Sequence, residues 1–277
     1  MIPIDDQNGR IQLEFKITEV SNRFLRQLHL TTEAVTHIYH ALINYAATDF
    51  PPLQTDSLPI VINDLTTELK SEQIKDRTLA WLFKKAFEEF IVGLMESLIE
   101  AHKYAKYYCL SNETRTERIL TKEQIELKIS EIQNRPLKLN FPTLINEIEA
   151  DLGISLSCKA EVISINQVRN CLVHRNSVVS DKDVNDDIDD SLQLVFLELV
   201  TLVEKGGEII ELKWTHKEEG LITNKIGLHE RQGCIKFKKG DVVKFDQNIF
   251  NGVSYTCIKF INNLLGALPM PFEQMHN

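Results

Sequence analysis

The chain has 277 residues, 43% hydrophobic and 26% charged, which is the balance of an ordinary globular protein long enough to bury a substantial core. Its net charge of −9 argues against a protein that coats nucleic acid non-specifically, because such binding needs many phosphate contacts from Lys and Arg. A local basic cleft that holds a few nucleotides weakly and transiently stays open. The start, Met1-Ile2-Pro3-Ile4-Asp5-Asp6, has no basic residue followed by an apolar run, and the most apolar stretches (90–99 and 192–203) are short and each carries a Glu. Neither a secretory signal nor a membrane span is expected. The five cysteines are widely spaced with no Cys-x-x-Cys pair, which points to a reducing cytoplasm.

In chain order, Asn8-Gly9 reads as a turn, and residues 11–17 alternate apolar and polar, the signature of a half-buried strand. Helical spacing follows over 19–28 and 32–47, stopped by Asp49-Phe50-Pro51-Pro52, and 53–63 is a connector. The longest helix is predicted from Asp64 or Ser71 to Tyr108, with an apolar face too wide for a coiled coil and suited to the centre of a bundle. Its last turns mix Lys103 and Lys106 with Tyr104, Tyr107 and Tyr108. That mixture reads as an amphipathic helix end with Lys near the negative dipole, and the competing reading is a stacking surface for nucleic acid.

Thr121-Lys122-Glu123-Gln124 fits a capping box opening a helix to about Gln133, and a short helix is predicted from Pro142 to before Gly153. A helix over 160–175 comes next. Between Ser180 and Asp190 six aspartates face only Lys182, giving a solvated loop, or alternatively an acidic lip that repels RNA from a neighbouring cleft. The last aspartates are placed to cap a helix over 188–205, closed by Gly206-Gly207. Alternation at Ile210, Leu212 and Trp214, at Ile235 and Phe237, and at Val242, Val243 and Phe245 predicts a small antiparallel sheet, with the 11–17 strand as a candidate member. A last helix spans about Asn248 to Leu265. The organisation expected is an N-terminal strand and helices (1–63) packing on a helical core (64–205), with a small sheet and terminal helix (206–277) in the same domain.

Chemistry gathers at Arg169-Asn170-Cys171-Leu172-Val173-His174-Arg175-Asn176. Val162, Ile165, Val168 and Leu172 recur at three- and four-residue steps, so one face of this helix is apolar and should point to a core. Asn170 and His174 share a face, whereas Arg169 and His174 are five apart and roughly 140° around the axis at ~100° per residue. They converge on one target only if the helix frays after Val173 or if a second copy of the helix packs against the first. His37 and His40, three apart on a predicted helix, have no Cys near them in sequence and read as helix surface rather than as a zinc site. No Walker, dinucleotide or H-E-x-x-H motif is present.

The Arg-Asn-Cys-Leu-Val-His run resembles the motif of the HEPN family, an Arg, a polar residue, a short mostly apolar spacer and a His, and the resemblance extends over about 64–205. It implies a mainly α fold, a HEPN-like antiparallel helical bundle, here with a small antiparallel β appendage. It further implies a homodimer whose paired motif helices place both arginines and both histidines in one cleft. Many members are metal-independent endoribonucleases, so the expected activity is RNA cleavage with no cofactor and no metal, by a toxin or defence effector whose partner is an antitoxin or another defence-system protein. His174 would act as base or acid near neutral pH, Arg169 would hold phosphate oxygens, Asn170 would orient the ring or the phosphate, and Arg175 is a further phosphate-binding candidate. The alternative is a catalytically inactive HEPN-like module for dimerisation or for binding a nucleotide or partner. In one subgroup a Tyr lies two residues after the His; here that position is Asn176, so control by modification of that Tyr is not expected.

Overall fold

The computed structural model describes residues 3–5, 11–13, 17–44, 71–116, 121–205, 208–212 and 226–269. In chain order the elements are β1 (Pro3–Asp5), β2 (Ile11–Leu13), α1 (Thr18–Asn44), α2 (Ser71–Thr116), α3 (Lys122–Asn134), a 3-10 turn (Pro136–Lys138), α4 (Phe141–Leu152), α5 (Lys159–His174), β3 (Ser191–Lys205), β4 (Glu208–Leu212), β5 (Ile226–Lys238) and α6 (Gln247–Ala267). The protein is mainly helical, with a three-stranded antiparallel sheet in the order β4-β3-β5 and a separate β1-β2 pair. The Asn8-Gly9 turn, the 53–63 connector and Trp214 lie outside the described residues.

The other helices pack around α2, whose 46 residues make it about 70 Å long. Phe87, Phe90, Ile91, Leu94 and Leu98 are all buried along it, and they spread over more of its circumference than a coiled-coil seam. That width lets α2 serve several partners at once: α1, α4, α5 and α6 all pack on it. Aromatic contacts fasten α6 and the segment before it, with the Phe87 and Phe245 rings stacked at 4.6 Å and Phe250 lying 5.1 Å from Phe90 and 5.6 Å from Phe83. Val20 and Phe24 of α1 and Val253 and Phe260 of α6 share one core with α2, α4 and α5. The helical core is therefore not confined to 64–205, and both chain ends contribute to it.

Local signals set the short helices. Thr121 and Gln124 form a reciprocal capping box at α3, Asn140 caps α4, and Gly153 ends α4 in the left-handed conformation (φ 65°) that its missing Cβ makes inexpensive. The two helices expected over 19–28 and 32–47 are one continuous α1, since the intervening His29-Leu30-Thr31 contains no breaker.

The larger correction concerns 188–205, read as a helix and found as the 15-residue strand β3. Its Leu-rich run is apolar on both sides, and such a run does not by itself distinguish the two periodicities. Pairing decides: β3 meets β5 antiparallel from Ser191↔Lys238 to Val203↔Ile226. On its other edge β3 meets β4 only over Thr201–Lys205. Where β4 is absent, side chains take its place, with Asn185 Oδ1 accepting from Gln193 N (2.6 Å), Ser164 Oγ from Val195 N (2.7 Å) and Thr256 Oγ1 from Leu197 N (2.8 Å). Phe196 lies on the backbone of α6 at Gly252, where an added Cβ would overlap its ring. Two smaller corrections follow from pairing as well. Val242 makes only an isolated bridge to Val178 instead of continuing a strand, and the first strand, described over 11–13, pairs with β1 and not with the larger sheet.

Candidate functional site at the C-terminal end of α5

The apolar stripe of α5 is buried as its spacing predicts, with Val162, Ile165 and Val168 fully inaccessible and Leu172 nearly so. Packing on that stripe orients the polar residues of the motif. α5 runs unbroken to His174, which removes fraying after Val173 as a way of bringing Arg169 and His174 together within one chain. The backbone then turns sharply, with Asn176 at φ 52° and Ser177 at φ 70°. Asn is among the non-glycine residues that tolerate this left-handed region best, which gives a local reason for Asn at this position.

The two arginines of the motif are in opposite electrostatic situations. Arg175 Nε pairs with Asp183 Oδ2 at 3.0 Å, and its Nη1 donates to the Asn170 carbonyl at 3.2 Å. Asp183, whose side chain is 1% exposed, also accepts from Ser180 N (2.9 Å) and Ser180 Oγ (2.7 Å). Arg175 thus ties the helix end to the following loop, and its charge is compensated. Arg169 is half-buried; its only polar partner among the described residues is the neutral Asn170 amide oxygen, 3.4 Å from Nη1, and its Nε is buried with no acceptor. Among the described residues it is an uncompensated cation.

His174 is exposed and lines, with Arg175, Ser180, Asp181 and Lys182, an open hollow of about 530 Å³. Arg169 is not among the residues lining it. Asn170 joins the two arginines, its side-chain oxygen accepting from Arg169 and its carbonyl from Arg175. Cys171, inside the motif, is buried, and burial, with Asp183 adding to it, pushes its thiol up to about 11, far from a reactive thiolate.

No family model, curated protein or solved structure matches the chain. The site is therefore judged on its own geometry and chemistry.

The remaining sequence candidates resolve as follows. In the acidic loop Asp186 and Asp189 pair with Lys236 and Asp181 pairs with Lys239, so two cations from β5 and the turn after it face three of its six aspartates. Tyr104 and Tyr107 are buried, the former donating to the Pro269 carbonyl, while Lys103 and Lys106 pair with Glu100 and Asp151. That end of α2 is packing surface and offers no stacking face at those two tyrosines. His37 and His40 are exposed on α1, and among the described residues no group of three His, Cys, Asp or Glu side chains comes together as a metal site. No described helix is long and apolar enough to cross a membrane.

Asp183 is the residue that sequence reasoning missed, since nothing distinguishes it from its five neighbouring aspartates until the loop folds back on α5. The other omission is His102. It is fully buried on α2, with Nε2 2.8 Å from Glu147 Oε2 and Nδ1 without a partner among the described residues, while Glu147 also takes Arg135 Nη2 at 2.7 Å. Arg135 foremost, with help from His102, holds the Glu147 carboxyl down at about 2, and burial lowers the pKa of His102 against the pull of Glu147. This cluster clamps α4 to α2 and to the end of α3.

Proposed function

We propose that the protein is a metal-independent endoribonuclease of HEPN type, active as a homodimer in which two α5 helices meet. The observation that carries this reading is Arg169: a half-buried guanidinium with no carboxylate partner among the described residues, one turn from an exposed imidazole. An unpaired, partly desolvated cation costs stability and is explained if an anion completes it. With α5 intact to its end, convergence of Arg169 with an imidazole falls to a second copy. A scissile phosphate held by the paired arginines would have His174 of one protomer take the 2′-hydroxyl proton as the 2′-oxygen attacks phosphorus. His174 of the other would protonate the departing 5′-oxygen. The products are a 2′,3′-cyclic phosphate and a 5′-hydroxyl, and DNA, lacking the nucleophile, is inert. A toxin or defence role, kept in check by a partner protein, goes with this activity.

The test is cleavage of single-stranded RNA in excess chelator by the wild type beside Arg169→Ala and His174→Ala. Each substitution is expected to lower the rate by at least about a hundredfold, the lower range for losing acid–base or oxyanion support. Equal cleavage by all three proteins removes these residues from the mechanism. One observation favours the second reading, a catalytically silent HEPN-like module for dimerisation or for binding a nucleotide or partner: His174 has no hydrogen-bond partner among the described residues to orient its ring. Dimerisation and RNA binding without cleavage would establish that reading instead.

A further inference from the structure

The protein exposes a cation-flanked tryptophan that the cleavage chemistry does not use. Trp81, on α2, is 58% exposed, an unusual position for the largest side chain on a helix otherwise central to the core. Arg77, four residues before it, and Lys84, three residues after, stand on the same face of α2 and have no carboxylate partner among the described residues. Lys85 also borders Trp81 but is paired with Glu88. α2 packs on α5, the helix that carries the motif, and Lys84 is near enough to Cys171 of that helix for its charge to act on the thiol.

We infer that the Arg77–Trp81–Lys84 face of α2 is a platform for single-stranded RNA leading to the cleft at Arg169, with Trp81 stacking a base and the two cations holding flanking phosphates. Charge complementarity selects the occupant: two uncompensated cations either side of an exposed indole suit a strand that offers a phosphate and an aromatic face at every step. The role rests on the endoribonuclease reading for its direction toward the cleft, but the binding is separable from cleavage. Such a platform also reconciles a net charge of −9 with a polyanionic substrate, because affinity comes from one stacked base and a few phosphates.

The experiment uses the full chain and a fluorescein-labelled single-stranded 2′-O-methyl RNA 12-mer, which cannot be cleaved, with binding followed by anisotropy at several salt concentrations. Trp81→Ala is expected to weaken binding about tenfold, and Trp81→Phe to restore most of it. Arg77→Ala with Lys84→Ala should lower the slope of log affinity against log salt by about 1.4, or 0.7 for each lost phosphate contact. Cleavage of a dinucleoside phosphate, which occupies the cleft alone, should be unchanged in Trp81→Ala, while cleavage of long RNA falls. Binding by Trp81→Ala within twofold of wild type overturns the platform and leaves the nuclease reading standing. Trp81-dependent binding by a protein that cleaves nothing preserves the platform and removes the nuclease. Polyglutamate bound as tightly as the RNA and equally sensitive to Trp81→Ala would make the face a site for an acidic protein and overturn its assignment to RNA.

Discussion

Arg169 and Arg175 are the same residue type on the same stretch of chain, and their surroundings give them opposite energetic roles. Arg175 joins α5 to a buried carboxylate that also holds Ser180, so removing that carboxylate leaves a partly buried cation and an unpaired amide. Asp183→Ala is expected to lower unfolding free energy by about 2–4 kcal/mol, measured as a shift in the urea midpoint at unchanged slope. Arg169 makes no ion pair among the described residues and carries a buried, unsatisfied Nε. Arg169→Met should therefore leave stability unchanged or raise it by up to about 1 kcal/mol while lowering the proposed RNA cleavage by at least about a hundredfold, the pattern of a residue retained for a ligand. A loss of more than about 1 kcal/mol on Arg169→Met would show instead that the guanidinium supports the fold.

At the scale of elements, the sheet depends on side chains standing in for a missing strand. β4 covers only the far end of β3, and elsewhere Asn185, Ser164 and Thr256 satisfy alternate amides of β3 from a loop, from α5 and from α6. The Ser164 bond docks the sheet against the helix that carries the motif, so sheet and site share one framework. Thr256 is fully buried. Thr256→Val keeps its shape, removes the acceptor for Leu197 N and should cost about 1–3 kcal/mol, whereas Thr256→Ser should cost less because it retains the bond. Equal losses for the two variants would mean that packing and not the hydrogen bond holds β3 in place. The same architecture explains the misread of 188–205. Leu has a high helix propensity, and the partner that overrides it, β5, lies about thirty residues further along the chain.

For the molecule as a whole, the cluster linking α2, α3 and α4 contributes to the response to acid. His102 is favoured neutral when folded, because burial outweighs the neighbouring carboxylate and its Nδ1 has no acceptor for a second proton. Between its depressed folded pKa and the ordinary 6.5 the unfolded chain binds more protons, so stability falls as pH drops below about 6.5. Glu147 is held at about 2 against a usual 4.5, so its contribution is complete above about 4.5 and is lost as pH falls toward 2. A two-stage loss is expected, the first stage belonging to His102. His102→Gln, which keeps a donor for Glu147 but does not titrate, should flatten the melting temperature between pH 7 and the onset of the second stage. A variant with the same slope as wild type over that range would remove His102 as its source.

Much of the local organisation was legible without a fold. The capping box at Thr121, the proline and glycine that bracket α4, the wide apolar face of α2 and the buried stripe of α5 all express interactions spanning a few residues, and their periodicities and caps are written in the chain itself. The motif residues and the angular problem between Arg169 and His174 were likewise visible, since helical geometry alone sets them. What only the tertiary structure decided depends on residues far apart in sequence. It turned a Leu-rich segment into a strand by giving it a partner and singled out Asp183 among six aspartates. It also buried Tyr104 and Tyr107 while exposing Trp81 and, among the described residues, left Arg169 without a carboxylate partner while giving Arg175 one. Pairing, desolvation and charge compensation are properties of what surrounds a residue, and those surroundings exist only once the chain has folded.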